Sequence, residues 1–491
     1  MKKVTALFFV IILVFMLLLS CQNNPETGGK SGEPAPAGGT AENAENAENT
    51  NEIPDGLPDY DFGGKSLTVI SREVLNVDIF QIAAEEGSAE PINDAVYRRN
   101  LKVSERFNVN IKSILYDEPD FDSPFKKSIL AGDDTFQVAA MHIIQSGVYA
   151  TDGLLVDWNN IPNIDISKPW WNQTVAKNTQ IGGKLFLQQN DIPTYTVICN
   201  NHIMFFNKRL AGELEIPNLY ETVRQGKWTI DLLTQHAKLG TRDLNGDGVM
   251  GEEDRWGFIA STGSTSTFLA GSNQAIIAVN SDGIPEIVLN TPKMASLVDK
   301  IYDLCVASGD TYMKPIDREY DFCMMFRNGK SLFYNGYIQN CALLRDMEDE
   351  YGILPIPKFD ESQTGYYAQI QGNSDTIGIP KSLPEADYEF VGAIVEALAA
   401  ESYKMVRPVI YEMTLKTKFA RDVESEEMLD LVSTNIVIDF GFLYNNWQGF
   451  GFTIWDLMER RSSDFASYYE RNFDKAQKNY DRAVEAILKI E

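Results

Sequence analysis

Beyond residue 56 the chain alternates short unbroken apolar runs with stretches whose apolar positions recur every three or four residues, the signatures of buried strands and amphipathic helices in turn. Ser66 to Ser71 reads as one buried strand and Thr135 to Met141 as another. Asn93 or Asp94 is placed to cap a helix carrying Ile92, Val96, Val103 and Phe107. Thr229 is placed to cap a second, through Leu232, Leu233 and Ala237, with Asp231 favoured in the first turn and Gly240 as a stop. Ser382 and Glu385 bracket Pro384 as a capping box, opening a helix with Phe390, Ile394 and Leu398 on its apolar side. The last helix carries Phe465, Tyr469, Phe473, Ala476, Tyr480, Val484 and Ile487 in a stripe of helical period. Such stripes are core-facing, and the alternation predicts α/β lobes with mainly parallel sheets. A body running from about Ile53 to Glu491 is long for one core and suits two.

The first residues differ. Lys2 and Lys3 precede an apolar run from Ala6 to Leu19, too short to span a bilayer comfortably and of the right length for a secretory signal peptide. It ends Leu18-Leu19-Ser20-Cys21, which resembles the bacterial lipobox. That resemblance implies cleavage after residue 20 and acylation of Cys21, leaving a lipid (palmitate) anchor on the membrane. Residues 21–56 then hold Asn, Glu, Gly, Pro, Ala and Ser, with Ala-Glu-Asn repeated from Ala41 to Asn49. So little apolar surface cannot offset ordering entropy, and a disordered tether with a reach of roughly 30 Å is expected.

Composition narrows the partners. The formal charge of −27 argues against nucleic acid and anionic lipid. Cys199, Cys305, Cys323 and Cys341 fit no zinc spacing and are left as buried thiols or as one or two disulfides. His142, His202 and His236 are far apart in sequence, which disfavours a His-based metal site or triad.

Several stretches, in order, resemble the bacterial extracellular solute-binding proteins of family 1, the maltodextrin- and sugar-binding type. They are Ile203 to Leu210 (IMFFNKRL), Tyr220 to Thr229 (YETVRQGKWT), Phe326 to Lys330 (FRNGK), Tyr351 to Lys358 (YGILPIPK) and Thr376 to Lys381 (TIGIPK). Glu90 to Tyr97 and Glu401 to Pro408 resemble an uncharacterised branch of the same family. The resemblance implies a type II periplasmic-binding-protein-like fold: two lobes, three interlobe crossings and a ligand in the cleft. Lobe 1 is then expected at 57–200 plus 356–380, and lobe 2 at 205–352 plus 384–491. The implied function is capture of a carbohydrate, expected to be an oligosaccharide, for the permease subunits of an ABC importer. The protein is expected to act as a monomer, without catalysis, facing the outside or the periplasm.

One local motif has its own mechanism. Asp243 to Asp254 matches an EF-hand calcium loop, with oxygen donors at Asp243, Asn245 and Asp247, the Val249 carbonyl, and Asp254 where Glu is usual. No cofactor is required, and a structural calcium ion that stiffens lobe 2 is expected here.

Sugar sites combine flat aromatic rings with carboxylates and amides. The candidate rings are Trp170, Trp171, Trp256, Tyr337 and Trp447, with Trp447 the principal one. The polar candidates are Arg72 and Glu73 at a strand end, Asn200 and Asn201 at the first crossing, and Gln371 and Asn373 before the last. Core packing or solvation competes with ligand contact at each. Two other classes share these features, a secreted glycoside hydrolase and a surface adhesin or sensor lipoprotein. A hydrolase needs a positioned carboxylate pair, and no local pattern singles one out. The motifs GxSxG, HExxH and the phosphate-binding P-loop do not occur.

Overall fold

The computed structural model describes residues 53–73, 79–117, 120–281, 283–315, 319–370, 372–412, 422–444 and 449–490. The signal-peptide run, Cys21, Gln371 and Trp447 lie outside the described residues. The described residues belong to one compact unit.

Chain order explains the architecture. β1 (Lys65–Arg72), β2 (Val109–Tyr116) and β3 (Val138–His142) are joined through the helices Pro91–Phe107 and Asp122–Ala131, and β1 pairs in parallel with both neighbours. The chain then enters a second sheet through β4 (His202–Asn207) and β5 (Trp256–Ser261). A small hairpin, β6 (Ile277–Val279) with β7 (Pro285–Ile287), precedes β8 (Thr311–Lys314), β9 (Ser331–Tyr337) and β10 (Tyr351–Leu354). After β11 (Ala368–Gln369) the chain returns as β12 (Asp375–Gly378), antiparallel to β3. β13 (Ile436–Val437) later lies parallel to β11. The first sheet has the order β12-β3-β1-β2 and the second β10-β4-β9-β5-β8.

β4 shows why these residues form a covered strand. All six are buried, with Ile203 and Phe205 in one apolar cluster and Met204 and Phe206 in another. Period-two alternation between two apolar faces is what a strand covered on both sides needs. The core on one face of each sheet is continuous and reaches the terminal helix Phe465–Lys489.

Helix starts follow local chemistry. Glu90, not Asn93 or Asp94, caps the first helix, accepting from the Asn93 N–H at 2.8 Å, while the Asn93 side chain accepts from Phe80 N at 2.8 Å. Thr229 accepts from Leu232 N at 3.3 Å, as its spacing predicts. The Ser382–Glu385 capping box does not form. A single 3₁₀ turn occupies 385–387, the helix begins at Tyr388 without a side-chain cap, and the Ser382 hydroxyl has no partner among the described residues.

Segment packing departs from the expected lobe boundaries. Helix Tyr388–Glu401 covers the first sheet, with Phe390, Ile394 and Leu398 beside Leu67 and Val69, because its apolar face matches that core. Residues 355–368 stay with the second sheet: Trp228 Nε1 donates to the Pro355 carbonyl at 2.9 Å, and Tyr366 Oη donates to the Val223 carbonyl at 3.2 Å. β12 is thus a member of the first sheet and not itself a crossing. The expected tether also ends early, since Asp55 is buried in an ion pair with Arg106 and Ile53, Leu57 and Tyr60 pack on the first core.

Candidate functional site

Parallel β1 and β3 deliver Arg72 and His142 to the same C-terminal edge of the first sheet, where open α/β sheets place ligands. β12 runs the other way, so its first residue Asp375, and Asn373 just before it, join that edge. Arg72 is buried; its Nε donates to Asp375 Oδ1 at 2.8 Å and its Nη2 to the Asn373 carbonyl. The second Asp375 oxygen accepts from Gln81 Nε2 at 3.1 Å and Thr196 Oγ1 at 2.9 Å. A buried ion pair offsets its desolvation only when its remaining polar positions are satisfied, and this one is well furnished.

From there a polar band runs across to the second sheet. His142 Nε2 lies 3.2 Å from Asn373 Oδ1, and burial together with the Arg72 charge pushes its imidazole down to about 3, so it is neutral at physiological pH. Asn200 Nδ2 donates to the Asn373 carbonyl at 3.1 Å. The Asn201 carbonyl accepts from Ile338 N at 3.1 Å, at the C-terminal end of β9. Tyr337, the last residue of β9, lies against His202 with ring centroids 4.4 Å apart. Burial pushes His202 down to about 4, and its Nδ1 lies 3.3 Å from Asn335 Oδ1. Asn335 Nδ2 in turn donates to the Ser264 carbonyl at 3.1 Å.

Of the candidates read from sequence, Arg72, Asn200, Asn201, Tyr337 and Asn373 are therefore drawn into one continuous band. Glu73 is exposed beside it, with its N–H donating to the Tyr116 carbonyl at 2.9 Å. Sequence reasoning missed His142, His202, Asp375, Asn335 and the run Ser261–Thr267. That run starts at the last residue of β5 and holds buried hydroxyls at Thr262, Ser266 and Thr267 with no partner among the described residues. Its seven residues, all Ser, Thr or Gly after an apolar strand, were a visible signal. Neutral amides, hydroxyls and imidazoles beside an aromatic ring suit hydrogen bonding to hydroxyl groups better than binding of a charge.

Three predicted rings fall elsewhere. Trp170 and Trp171 are 1% and 2% exposed, and each indole N–H donates to one oxygen of the Glu396 carboxylate, both at 2.9 Å. They are core residues whose polar atoms are already used. Trp256 opens β5 at the end opposite Ser261, roughly 16 Å away at the rise of a strand. Its Nε1 donates to the Gly251 carbonyl at 2.8 Å, clamping the acidic loop.

That loop is built on main-chain donors. Asp243 accepts from Gly246 N and Gly248 N at 2.6 and 2.9 Å, and Asp254 from Leu244 N and Gly251 N at 2.9 and 2.7 Å. Gly246 and Gly248 have φ of 74° and 79°, which a side chain would strain. These amides hold Asp254 below the usual carboxylate range. The donor types suit calcium, yet among the described residues no three His, Cys, Asp or Glu side chains converge as a metal site.

A cavity of about 340 Å³ is lined by Lys177, Asn178, Ile277, Asp439 and Phe440 among others. Burial pushes the Asp439 carboxyl up to about 6 against three main-chain N–H donors, from Ile276, Ile277 and Gly441.

No protein-family model matches the sequence, and no curated protein sequence does. Solved structures do match. The galacto-N-biose-/lacto-N-biose I-binding protein of the ABC transporter from Bifidobacterium longum, in complex with lacto-N-biose, superposes with a TM-score of 0.54 at 13% identity, covering 88% of this chain and 98% of that one. A sugar transporter protein from Rhizobium etli in an open conformation gives 0.53 at 12% identity over 87% and 100%. The maltose/maltodextrin-binding domain from Bdellovibrio bacteriovorus bound to maltotriose gives 0.51 at 11% identity over 86% and 99%. At such identities the likeness is one of fold. The chain has the two-lobed α/β fold of the periplasmic-binding-protein-like proteins.

Proposed function

We propose that this protein is an exported, lipid-anchored solute-binding protein that captures a carbohydrate, of oligosaccharide size, between its lobes and delivers it to an ABC permease without chemical change. The observation that carries this reading is the band Arg72–Asn373–Asn200–Asn201–Tyr337, which joins the C-terminal edges of both sheets where the chain passes between them. Sheet edges linked by short passages can swing as a hinge, and a ligand contacting both stabilises the closed form. The three solved structures of the same fold are a binding protein of an ABC transporter, a sugar transporter protein and a maltodextrin-binding domain, which supports a sugar as the ligand class. The lipid anchor rests on Cys21 and the signal-peptide pattern, and places the body on the outer or periplasmic side. Among the described residues no helix is long and apolar enough to cross a membrane. Calcium on the 243–254 loop is proposed on donor type and spacing alone, and requires the loop to draw its carboxylates together.

The test is a panel of mono- and oligosaccharides, scored for thermal stabilisation and, by chromatography, for turnover. The proposal expects at least one sugar to raise the melting temperature and to be recovered intact. Turnover would point to the hydrolase reading, and silence across the panel to a surface adhesin or sensor. Metabolic labelling with palmitate, lost in Cys21→Ala, tests the anchor.

A further inference from the structure

A second, more polar cavity sits where the first sheet meets the passage into β4. Its volume is about 180 Å³, roughly six times the ~30 Å³ share of one liquid water and so about the size of a single sugar ring. One wall comes from the segment that pairs with β12 through the Gln188–Ile377 bridge and ends in Asn190 and Asp191. The other comes from Asn201, from Arg407, and from Thr434 at the end of helix Val423–Thr434.

Two features make this a built site. Asn190 and Asn201 are 2% and 1% exposed, and the Asn190 Nδ2 donor and Asn201 Oδ1 acceptor have no hydrogen-bond partner among the described residues. Their other amide atoms are engaged: Asn190 Oδ1 accepts from Ile192 N at 3.0 Å, and Asn201 Nδ2 donates to the Val197 carbonyl at 2.8 Å. Each side chain is thereby oriented, and each keeps one unmatched polar atom in a residue of the cavity wall. Buried polar atoms are rarely left unsatisfied, because each costs free energy comparable to a lost hydrogen bond.

The remaining chemistry selects the occupant. The charges in the wall are already matched, since Arg407 Nη1 lies 3.2 Å from both oxygens of Asp191. A charged guest would be an uncompensated ion here, whereas a neutral one is not. Trp170 and Trp171 also line the cavity, and their indole N–H groups are turned away to Glu396 and are not available to a guest. A neutral guest with hydroxyls around its rim meets both demands, an uncharged interior and hydrogen-bonding partners for the two amides.

We infer that this cavity is a second binding site, for one neutral polyhydroxylated ring, a monosaccharide or cyclic polyol, held between the first lobe and the passages that link it to the second. The inference goes beyond solute capture by the band and does not depend on which oligosaccharide is carried. Its occupant would brace the passages that form the hinge.

The experiment combines crystals grown with glucose or myo-inositol and calorimetry on three variants of the full chain. Density for one ring within hydrogen-bond reach of Asn190 and Asn201 is expected. Binding of the same ring should weaken about tenfold in Asn190→Leu and by more in Thr434→Phe, which fills the cavity from an exposed rim position and leaves the core untouched. Tyr337→Ala should leave it unchanged. Density for separate waters only, or equal affinity in the wild type and Thr434→Phe, overturns the inference. Loss of ring binding in Tyr337→Ala alone would assign the ring to the band instead, overturning this site and leaving the proposed capture intact.

Discussion

Glu396 offers the sharpest physical test of the first lobe. Its side chain is fully buried and receives the indole N–H of both Trp170 and Trp171 and the main-chain N–H of Asp165, the last at 3.3 Å. Burial wins over these three donors, and the carboxyl is pushed up to about 7 from an ordinary 4.5. The folded state therefore holds a proton that the unfolded chain has already released over much of the acidic range. Moving the carboxyl from 4.5 to about 7 corresponds to about 3 kcal/mol of stability, present below about pH 4.5 and lost as pH rises through about 7. Glu396→Gln removes the titration and sets an amide NH₂ against one indole N–H, leaving a buried donor unpaired at a cost of about 1–3 kcal/mol. The wild type should exceed the variant clearly at pH 5, and the gap should shrink steadily by pH 8. The assay is denaturant unfolding of both proteins at four pH values, followed by near-ultraviolet circular dichroism of the tryptophans. Parallel curves, with a gap independent of pH, would refute the argument that desolvation dominates this carboxyl.

Other expectations follow from single contacts. Asp375→Ala leaves Arg72 buried without its carboxylate, and should cost about 3–5 kcal/mol in unfolding free energy, where a merely solvated pair would cost under about 1. Gly147→Ala sets helix propensity, worth about 1 kcal/mol in favour of Ala, against a Cβ only 2.4 Å from the Leu443 carbonyl oxygen. The backbone clash wins, so the melting temperature should fall; a rise would show that the helix Ile143–Thr151 can move away from Leu443. Removing the Thr229 cap by mutation to Ala should destabilise by about 0.5–2 kcal/mol, read from the same unfolding curves. Millimolar calcium should release or take up heat with wild type and not with Asp243→Ala; no heat with either removes calcium from the account.

The strands and long helices were legible because their apolar periods are strong. The stripe from Phe465 to Ile487 and the alternating faces of β4 follow directly from residue order. Boundaries were less legible, since they depend on which core a segment meets. Nothing local in Tyr388–Glu401 says that its apolar face completes the first sheet, and nothing in Ser382–Glu385 says that a 3₁₀ turn will displace the capping box. Polar edge residues came through in part, because strand ends can be read from sequence and Arg72, Asn200 and Asn373 sit at them. The tryptophans did not, because an indole in a loop looks the same whether its N–H meets a ligand or a buried acid. Glu396 lies more than two hundred residues from Trp170 in sequence, and only the fold brings them together.

The central claim is that two lobes close on an intact sugar, and a distance between them measures it. Spin labels at Leu130→Cys and Tyr320→Cys occupy exposed helical positions on the first and second lobes, while Cys199, Cys305, Cys323 and Cys341 are buried from the reagent. With a sugar that stabilises the protein, the interlabel distance should shorten to a single narrow distribution and the sugar should be recovered unchanged. An unaltered distance at saturating sugar, or a cleaved product, contradicts the account.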